Sequence, residues 1–164
     1  GADTTARIWD AATGRLIATL RGHTDGVRGV SFSSDAALLA TAGADGTARI
    51  WDTATRRSRA VLRGHTDWVW EAVFSPDAAL LATAGADGTV RLWDVATGDP
   101  LATLVPLDGD GHAVLLPDGS YKLTGAPGRL LWWAIKLSRF APGELDPYVP
   151  QLRKLAPDTQ VFPD

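Results

Sequence analysis

The sequence predicts an all-β fold built from repeated four-stranded antiparallel sheets, and three observations lead to this prediction. First, the 164 residues include only two Glu, three Lys and no Met, so strong helix formers are scarce. Second, 17 Gly and seven Trp favour a turn-rich β architecture. Third, one stretch of sequence recurs with a period of 42 residues, and short apolar runs alternate in it with turn-forming residues.

Successive repeats are closely similar in sequence. Residues 1–42 and 43–84 are identical at 30 of 42 positions without a gap. A match of this density indicates duplicated structural units rather than chance. Two dipeptides mark the period, with Trp-Asp beginning at Trp9, Trp51 and Trp93, and Gly-His beginning at Gly22 and Gly64.

Each repeat predicts four short strands separated by turns. In the second complete repeat the strands are expected over 69–74, 80–84, 89–93 and 101–105. The breaks between them carry the turn-forming triplets Ser-Pro-Asp, Ala-Asp-Gly and Thr-Gly-Asp. Strands joined by such short turns would form one small antiparallel sheet per repeat.

The first strand of each repeat departs from regular alternation. Apolar residues fall at Val69 and then at Ala72 and Phe74, which is a step of three inside a pattern whose period is two. This step predicts a β-bulge near Trp70, and near Arg28 in the preceding repeat. A bulge would re-aim the side chains at both of these positions.

These spacings resemble one family. A Gly-His pair, 27 intervening residues and a Trp-Asp pair, repeated every 42 residues, is similar to the pattern of the WD-repeat β-propeller family. The resemblance implies a partial β-propeller of four-stranded antiparallel blades. The implied divisions are a half blade at 1–21, full blades at 22–63 and 64–105, a degenerate terminal blade at 106–140, and an extended Pro-rich tail at 141–164 with a short helical turn near 151–155.

A propeller ring needs at least four blades, so the resemblance implies that this chain does not close a ring alone. We expect a C-terminal part of a larger protein, with the missing blades supplied in cis or by a second copy in trans. A genuine short protein that closes its ring by self-association is the alternative. Arginine outnumbers lysine 13 to 3, which favours a bacterial source. We expect a multidomain, cytoplasmic host protein.

Composition argues against several other classes of protein. The net charge of −3 and the absence of Cys argue against a nucleic-acid-binding domain, disulfides and Cys-ligated zinc. The longest strongly apolar run, 130–135, is far too short to span a bilayer. Arg56, Arg57, Arg59 and Arg63 cluster near one predicted fourth strand, where a solvated, charged edge explains them better than a phosphate-binding stripe. We expect no nucleic acid, membrane or cofactor.

One short segment could suggest a metal site. Asp108, Asp110 and His112 supply oxygen and nitrogen donors at close spacing. The glycines between them favour a polar loop instead, and His112 is better explained as a strand-edge residue. We therefore expect no metal site.

The resemblance also implies a hydrogen-bonded polar tetrad of His, Thr, Asp and Trp in each full blade. A buried indole N–H or imidazole without a partner costs roughly 1–3 kcal/mol. Thr, His and Asp could also form a nucleophile constellation, but an active site is needed once and a brace is needed in every blade. We expect no catalytic residue and no enzyme activity. The implied tetrads are His23, Thr41, Asp45 and Trp51, and His65, Thr83, Asp87 and Trp93.

The Trp-Asp dipeptides have an expected place in the same scheme. Each tryptophan, Trp9 included, should pack in the core and donate its indole N–H within a tetrad. Each following aspartate should lie at the strand end, in a turn.

The two full repeats differ at the start of their first strands, where Gly26, Arg28 and Gly29 correspond to Trp68, Trp70 and Glu71. In propellers this face is the usual partner-binding surface, so the resemblance implies partner contact at Arg28, Trp68 and Trp70. Tryptophan and arginine also dominate interface hot spots. The alternatives are that Trp68 caps its blade beside a neighbour and that Arg28 is an ordinary solvated side chain.

We therefore predict a protein–protein interaction scaffold within a larger signalling or sensing protein. Short loops on a stiff support would hold a few aromatic and charged side chains ready for a protein or peptide partner. The alternative is a purely structural or oligomerisation segment that completes a propeller ring.

Overall fold

The computed structural model describes residues 1–107, 111–124, 133–135, 138–140 and 153–161. The chain divides into two compact units, Gly1–Pro100 and Leu101–Asp164. Every regular element in the described residues is a β-strand, as the composition predicts. A search of these residues for helices long and apolar enough to cross a membrane finds none.

The first unit consists of antiparallel sheets. β1 pairs with β2, the strands β3-β4-β5-β6 form a four-stranded sheet in chain order, and β7 and β9 flank β8. The strands are β1 (Thr5–Trp9), β2 (Leu16–Arg21), β3 (Val27–Phe32), β4 (Leu38–Gly43), β5 (Thr47–Asp52), β6 (Ser58–Arg63), β7 (Val69–Phe74), β8 (Leu80–Gly85) and β9 (Val90–Asp94). The strands predicted at 69–74, 80–84 and 89–93 are each found within one residue of their expected ends.

The predicted bulges are present. The pairing of β3 with β4 slips between Val27 and Gly29, and the pairing of β7 with β8 slips between Val69 and Glu71. Arg28 and Trp70 are the extra residues in these two strands, so neither has a partner directly opposite. Both side chains are exposed at the sheet surface.

The aspartates Asp52 and Asp94 lie at strand ends, as predicted, and their carboxylates accept hydrogen bonds from the turns that follow. The Oδ1 atom of Asp52 accepts hydrogen bonds from the backbone N–H of Thr55 at 2.7 Å and from its hydroxyl at 2.8 Å. Asp94 accepts from the N–H of Thr97 at 2.8 Å in the same way. These bonds satisfy turn N–H groups that lie outside the sheet ladder.

The main core of the first unit lies between the four-stranded sheet and β7-β8-β9. Strand β7 packs against β3 and β4, and it places Val69 and Ala72 against Ala40, Ile50 and Leu81. All five side chains are almost fully buried. Each large aliphatic side chain contributes roughly 1.5–3 kcal/mol on burial, so face-to-face packing of the sheets is a major source of stability.

Trp9 corrects one prediction, because it is 55% exposed rather than packed in a core. Its equivalent, Trp51, lies on a strand that is paired on both sides, whereas β1 pairs with β2 alone in this unit. Within the described residues, β1 therefore lacks the second flanking strand that covers Trp51.

The second unit contains a mixed sheet. Within the described residues it holds β10 (Pro100–Pro106), β11 (His112–Leu115), β12 (Ser120–Thr124), β13 (Trp133–Ile135), β14 (Ser138–Phe140) and β15 (Arg153–Lys154). Strands β10-β11-β12-β15 are neighbours in that order, and β13 pairs with β14. Of the described residues in 106–140, β11 and β12 belong to one sheet and β13 and β14 to another.

The tail corrects a second prediction. A helical turn is expected near 151–155, but the structure has a strand at Arg153–Lys154, parallel to β12. The N–H of Leu155 donates to the carbonyl of Tyr121 at 2.7 Å. Pairing with an existing strand satisfies these backbone groups better than a single isolated helical turn would.

Candidate binding surface

The structure brings the four residues of each implied tetrad together. Imidazole Nε2 of His23 lies 2.8 Å from Oγ1 of Thr41. The indole Nε1–H of Trp51 donates to the same oxygen at 2.9 Å. On the other side of the ring, Nδ1 of His23 lies 3.0 Å from Oδ2 of Asp45. The Thr41 hydroxyl is fully buried and links the other side chains.

The second tetrad repeats this geometry almost without change. His65 Nε2 and Thr83 Oγ1 are 2.9 Å apart, and the indole of Trp93 donates to that hydroxyl at 2.9 Å. His65 Nδ1 lies 3.0 Å from Oδ2 of Asp87. The same four-residue network therefore braces neighbouring sheets of the first unit.

The hydrogen bonds determine which atoms of the tetrad donate a proton and which accept it. Asp45 is an acceptor, so Nδ1 of His23 carries the proton and Nε2 accepts from the Thr41 hydroxyl. The hydroxyl oxygen remains free to accept from the indole of Trp51. Every polar atom in the chain from indole to carboxylate then has a partner, which removes the cost of burying it.

Electrostatics agree with a neutral imidazole beside an ionised carboxylate. Burial lowers the pKa of His23, although the hydrogen bond and charge of Asp45 oppose the shift. Burial works against ionisation of Asp45, but hydrogen bonds from Thr47, Thr24 and His23 outweigh it and lower the pKa of Asp45 to about 2. Hydrogen bonds outweigh burial in the same way at Asp87 and lower its pKa to about 2.

Two further types of residue complete each tetrad, and sequence reasoning missed both. Thr47 donates to Oδ1 of Asp45 from its hydroxyl at 2.7 Å and from its N–H at 3.0 Å. Gly43 lies against the imidazole, because a Cβ atom there would stand 2.3 Å from Nδ1 of His23. Thr89 and Gly85 take these roles in the second tetrad. Their recurrence at a spacing of 42 was the available signal.

The three predicted partner-binding residues form one cluster, which we call the Trp–Arg cluster: Arg28, Trp68 and Trp70. The guanidinium carbon of Arg28 lies 4.6 Å from the ring centroid of Trp68 and 5.8 Å from that of Trp70. The two indoles meet edge to face, with centroids 5.4 Å apart and an interplanar angle of 76°. Trp68 is 41% exposed and Trp70 is 47% exposed. A cation and two aromatic rings are thus held together at the surface.

Close backbone packing produces this cluster. A Cβ atom at Gly29 would lie 2.8 Å from the carbonyl oxygen of Trp70, so only glycine lets β3 approach β7 so closely at this point. The bulges in both strands turn positions 28 and 70 outward. A cleft of about 270 Å³ lies beside the cluster and is lined by residues of the β4–β5 turn and the segment from His65 to Trp68.

Two segments of the chain match a known family model. Residues 14–52 and 56–94 match the model described as WD domain, G-beta repeat. Both segments are thus similar to WD40 repeats. A comparison with curated proteins found no matching relative. The match supports a WD-repeat family for the chain, as the resemblance in the sequence implies.

Each of the two segments that match the WD40 model spans two sheets. The repeat at 14–52 contains β2 of the first sheet and β3, β4 and β5 of the next. The repeat at 56–94 likewise begins with β6 of one sheet and continues into β7, β8 and β9. Neighbouring sheets are therefore linked through shared repeats as well as through packing.

WD40 repeats generally mediate protein–protein interaction and are typically non-enzymatic. The tetrad side chains are buried braces, whereas the Trp–Arg cluster is exposed and differs between repeats.

His112 is an exposed residue of β11, while Asp108 and Asp110 lie outside the described residues. Over the part of the chain that the structure describes, no three His, Asp or Glu side chains are grouped to hold a metal ion.

Proposed function

We propose that the chain is a protein-interaction module whose binding surface is the Trp–Arg cluster. One observation carries the proposal: two half-exposed indoles and an arginine, all predicted from the differences between repeats, meet at the surface where β3 packs against β7. Aromatic and arginine side chains of this kind supply most of the binding energy in protein interfaces. Their mutual contacts hold them in place, so little side-chain entropy is lost on binding.

The host of this module is proposed to be a larger bacterial signalling or sensing protein. Support for a bacterial source is the excess of arginine over lysine, 13 to 3. Support for a recognition role is the function of WD40 repeats in general.

Peptide selection tests the binding surface. Random peptides displayed on phage are selected against the full chain, and the affinity of the enriched peptides is measured for the wild type and for Trp70→Ala. We expect the substitution to weaken binding by about tenfold or more. It should lower the free energy of unfolding by no more than about 1 kcal/mol, because the side chain is exposed.

Trp9→Ala is the matched control. Trp9 is as exposed as Trp70 but lies on β1, outside the Trp–Arg cluster. The proposal expects Trp9→Ala to leave peptide affinity unchanged. Equal losses for Trp9→Ala and Trp70→Ala, or enriched peptides that bind Trp70→Ala as well as the wild type, would contradict it.

A second function, structural completion of a ring or oligomer, is favoured by a different surface. Val30 is 62% exposed and Phe32 is 52% exposed, and with Ile8, Trp9 and Leu39 they line an apolar groove of about 200 Å³. In the next repeat the equivalent of Phe32 is packed against the core. Light scattering over a range of concentrations separates the functions, since a stable dimer that Phe32→Arg dissociates would support the structural one.

A further inference from the structure

We infer that Arg28 makes the Trp–Arg cluster selective for a carboxylate, so that the bound segment of the partner presents an Asp or Glu side chain beside an apolar residue. This inference rests on the proposed function and names the chemistry of the partner at the same surface. Three features carry it: the free edge of Arg28, the charges around it, and the apolar area of the two indoles.

Arg28 is an exposed cation with no acidic partner in the described residues. No ion pair or hydrogen bond joins its guanidinium to another described side chain, and its contacts are with the rings of Trp68 and Trp70. Because the guanidinium contacts aromatic rings and makes no hydrogen bond or ion pair with a described side chain, its N–H groups remain available to a ligand. Those N–H groups match the two oxygens of a carboxylate in a bidentate pair.

The surrounding charges select among possible ligands. Asp25 lines a small cleft together with Arg28, Asp67 directly precedes one tryptophan, and Glu71 directly follows the other. All three acids are exposed. Arg28 can neutralise one incoming negative charge, whereas a phosphate dianion would bring a second charge toward these acids. A single carboxylate therefore fits better than a phosphate.

A basic ligand fits less well, although the same acids would attract it. The indole faces where a cation would bind are already next to the guanidinium of Arg28. An incoming Lys or Arg side chain would have to displace this like charge. The carboxylates of Asp45 and Asp87 offer no alternative, because hydrogen bonds inside the tetrads engage them.

The indoles specify what lies beside the carboxylate. About half of each tryptophan side chain remains exposed after their edge-to-face contact. This leaves ring area next to the guanidinium edge, where an apolar side chain can be buried when the partner binds. The predicted recognition element is a short segment with one acidic and one apolar residue.

Two parallel selections test this inference. The same phage-displayed random peptide library is selected on the full wild-type chain and on Arg28→Gln, whose folding is checked by thermal unfolding. We expect enrichment of Asp or Glu on the wild type and loss of that enrichment on Arg28→Gln. Arg59→Gln, which removes an exposed arginine on β6, is the matched control and should keep the enrichment.

A single enriched peptide then gives the magnitude. Replacing its acidic residue by the corresponding amide should weaken binding to the wild type by about tenfold, the size expected for a charge-assisted bidentate pair. Binding to Arg28→Gln should not change with this replacement. Arg28→Lys keeps the charge and loses the planar fork, so its discrimination should be intermediate.

The outcomes separate this inference from the proposed function. Enriched peptides that are basic or uncharged, yet lose affinity for Trp70→Ala, would overturn the inference and leave the binding surface standing. An acid preference that persists in Arg28→Gln would also overturn it. Peptides that bind Trp70→Ala and the wild type equally would instead refute the binding surface itself.

Discussion

Gly43 and His23 are in such close contact that a Cβ atom on the glycine would lie 2.3 Å from Nδ1 of the imidazole. Nδ1 is the atom that bonds to Asp45. The same relationship recurs between Gly85 and His65. Neither glycine has a left-handed φ angle, so both are required by space and not by backbone conformation.

We therefore expect Gly43→Ala to displace the imidazole and break the first tetrad. Overpacking of this kind costs about 1–3 kcal/mol, and loss of the hydrogen bonds adds to it. Chemical denaturation measures the free energy of unfolding. Gly26→Ala is the control, because the nearest atom to its Cβ would lie at an ordinary 3.6 Å. Equal stability of the two variants would contradict the packing argument.

The threonine hydroxyls at the centre of the tetrads give a second prediction. Thr83→Val keeps the shape of the side chain but removes the acceptor for Trp93 and the donor for His65. We expect the free energy of unfolding to fall by about 1–3 kcal/mol, because buried polar groups lose their partners. Thr24→Val, at an exposed residue, should have little effect. If the Thr83→Val protein were as stable as the wild type, the stabilising role of the tetrad would be refuted.

Acidification should reveal the tetrad carboxylates. The pKa of Asp45 and of Asp87 is lowered from 3.8 to about 2 in the folded chain. A folded-state pKa below the unfolded value gives stability that is present above pH 3.8 and is lost as the pH falls through 2. Burial also lowers the pKa of His23 from 6.5, so stability should begin to decrease below pH 6.5.

Thermal unfolding measured from about pH 8 to about pH 2 tests this dependence of stability on pH. Asp87→Asn should flatten the part of the decline below pH 3.8. Asp52 also has a lowered pKa, chiefly from the backbone N–H of Thr55, but it ends β5 beside an exposed turn. Asp52→Asn should therefore flatten the decline less than Asp87→Asn. The reverse order would contradict the account.

Two strained alanines offer a stabilising change. Ala36 has a φ of 56° and Ala78 a φ of 58°, both in the left-handed region that favours glycine. Ala78→Gly should relieve this strain and raise the free energy of unfolding by about 0.5–1 kcal/mol. Ala79→Gly, whose φ is not positive, should lower it instead. Chemical denaturation of both variants decides the sign.

The sequence was sufficient for the strands of the first unit, because alternation and turn residues are local signals. The step from Val69 to Ala72 even located the bulge at Trp70. The residues of each tetrad came from the family resemblance, and repetition argued for a structural role. Each of these features depends on residues that lie within one repeat.

Features that depend on neighbouring elements could not be predicted in the same way. The exposure of Trp9 depends on which strands pair with β1, and the strand at Arg153–Lys154 depends on the free edge of β12. The contact of Arg28 with the ring of Trp68 depends on how closely Gly29 lets β3 approach β7. Composition and spacing do not encode these distances.

Buried tetrads brace the sheets, and we propose that the Trp–Arg cluster contacts the partner. The most direct test is a nuclear magnetic resonance titration of the indole N–H signals of the seven tryptophans with a peptide selected on the wild-type chain. We expect the signals of Trp68 and Trp70 to shift and those of Trp51 and Trp93 to stay in place. Shifts confined to Trp51 and Trp93, with Trp68 and Trp70 unmoved, would contradict it.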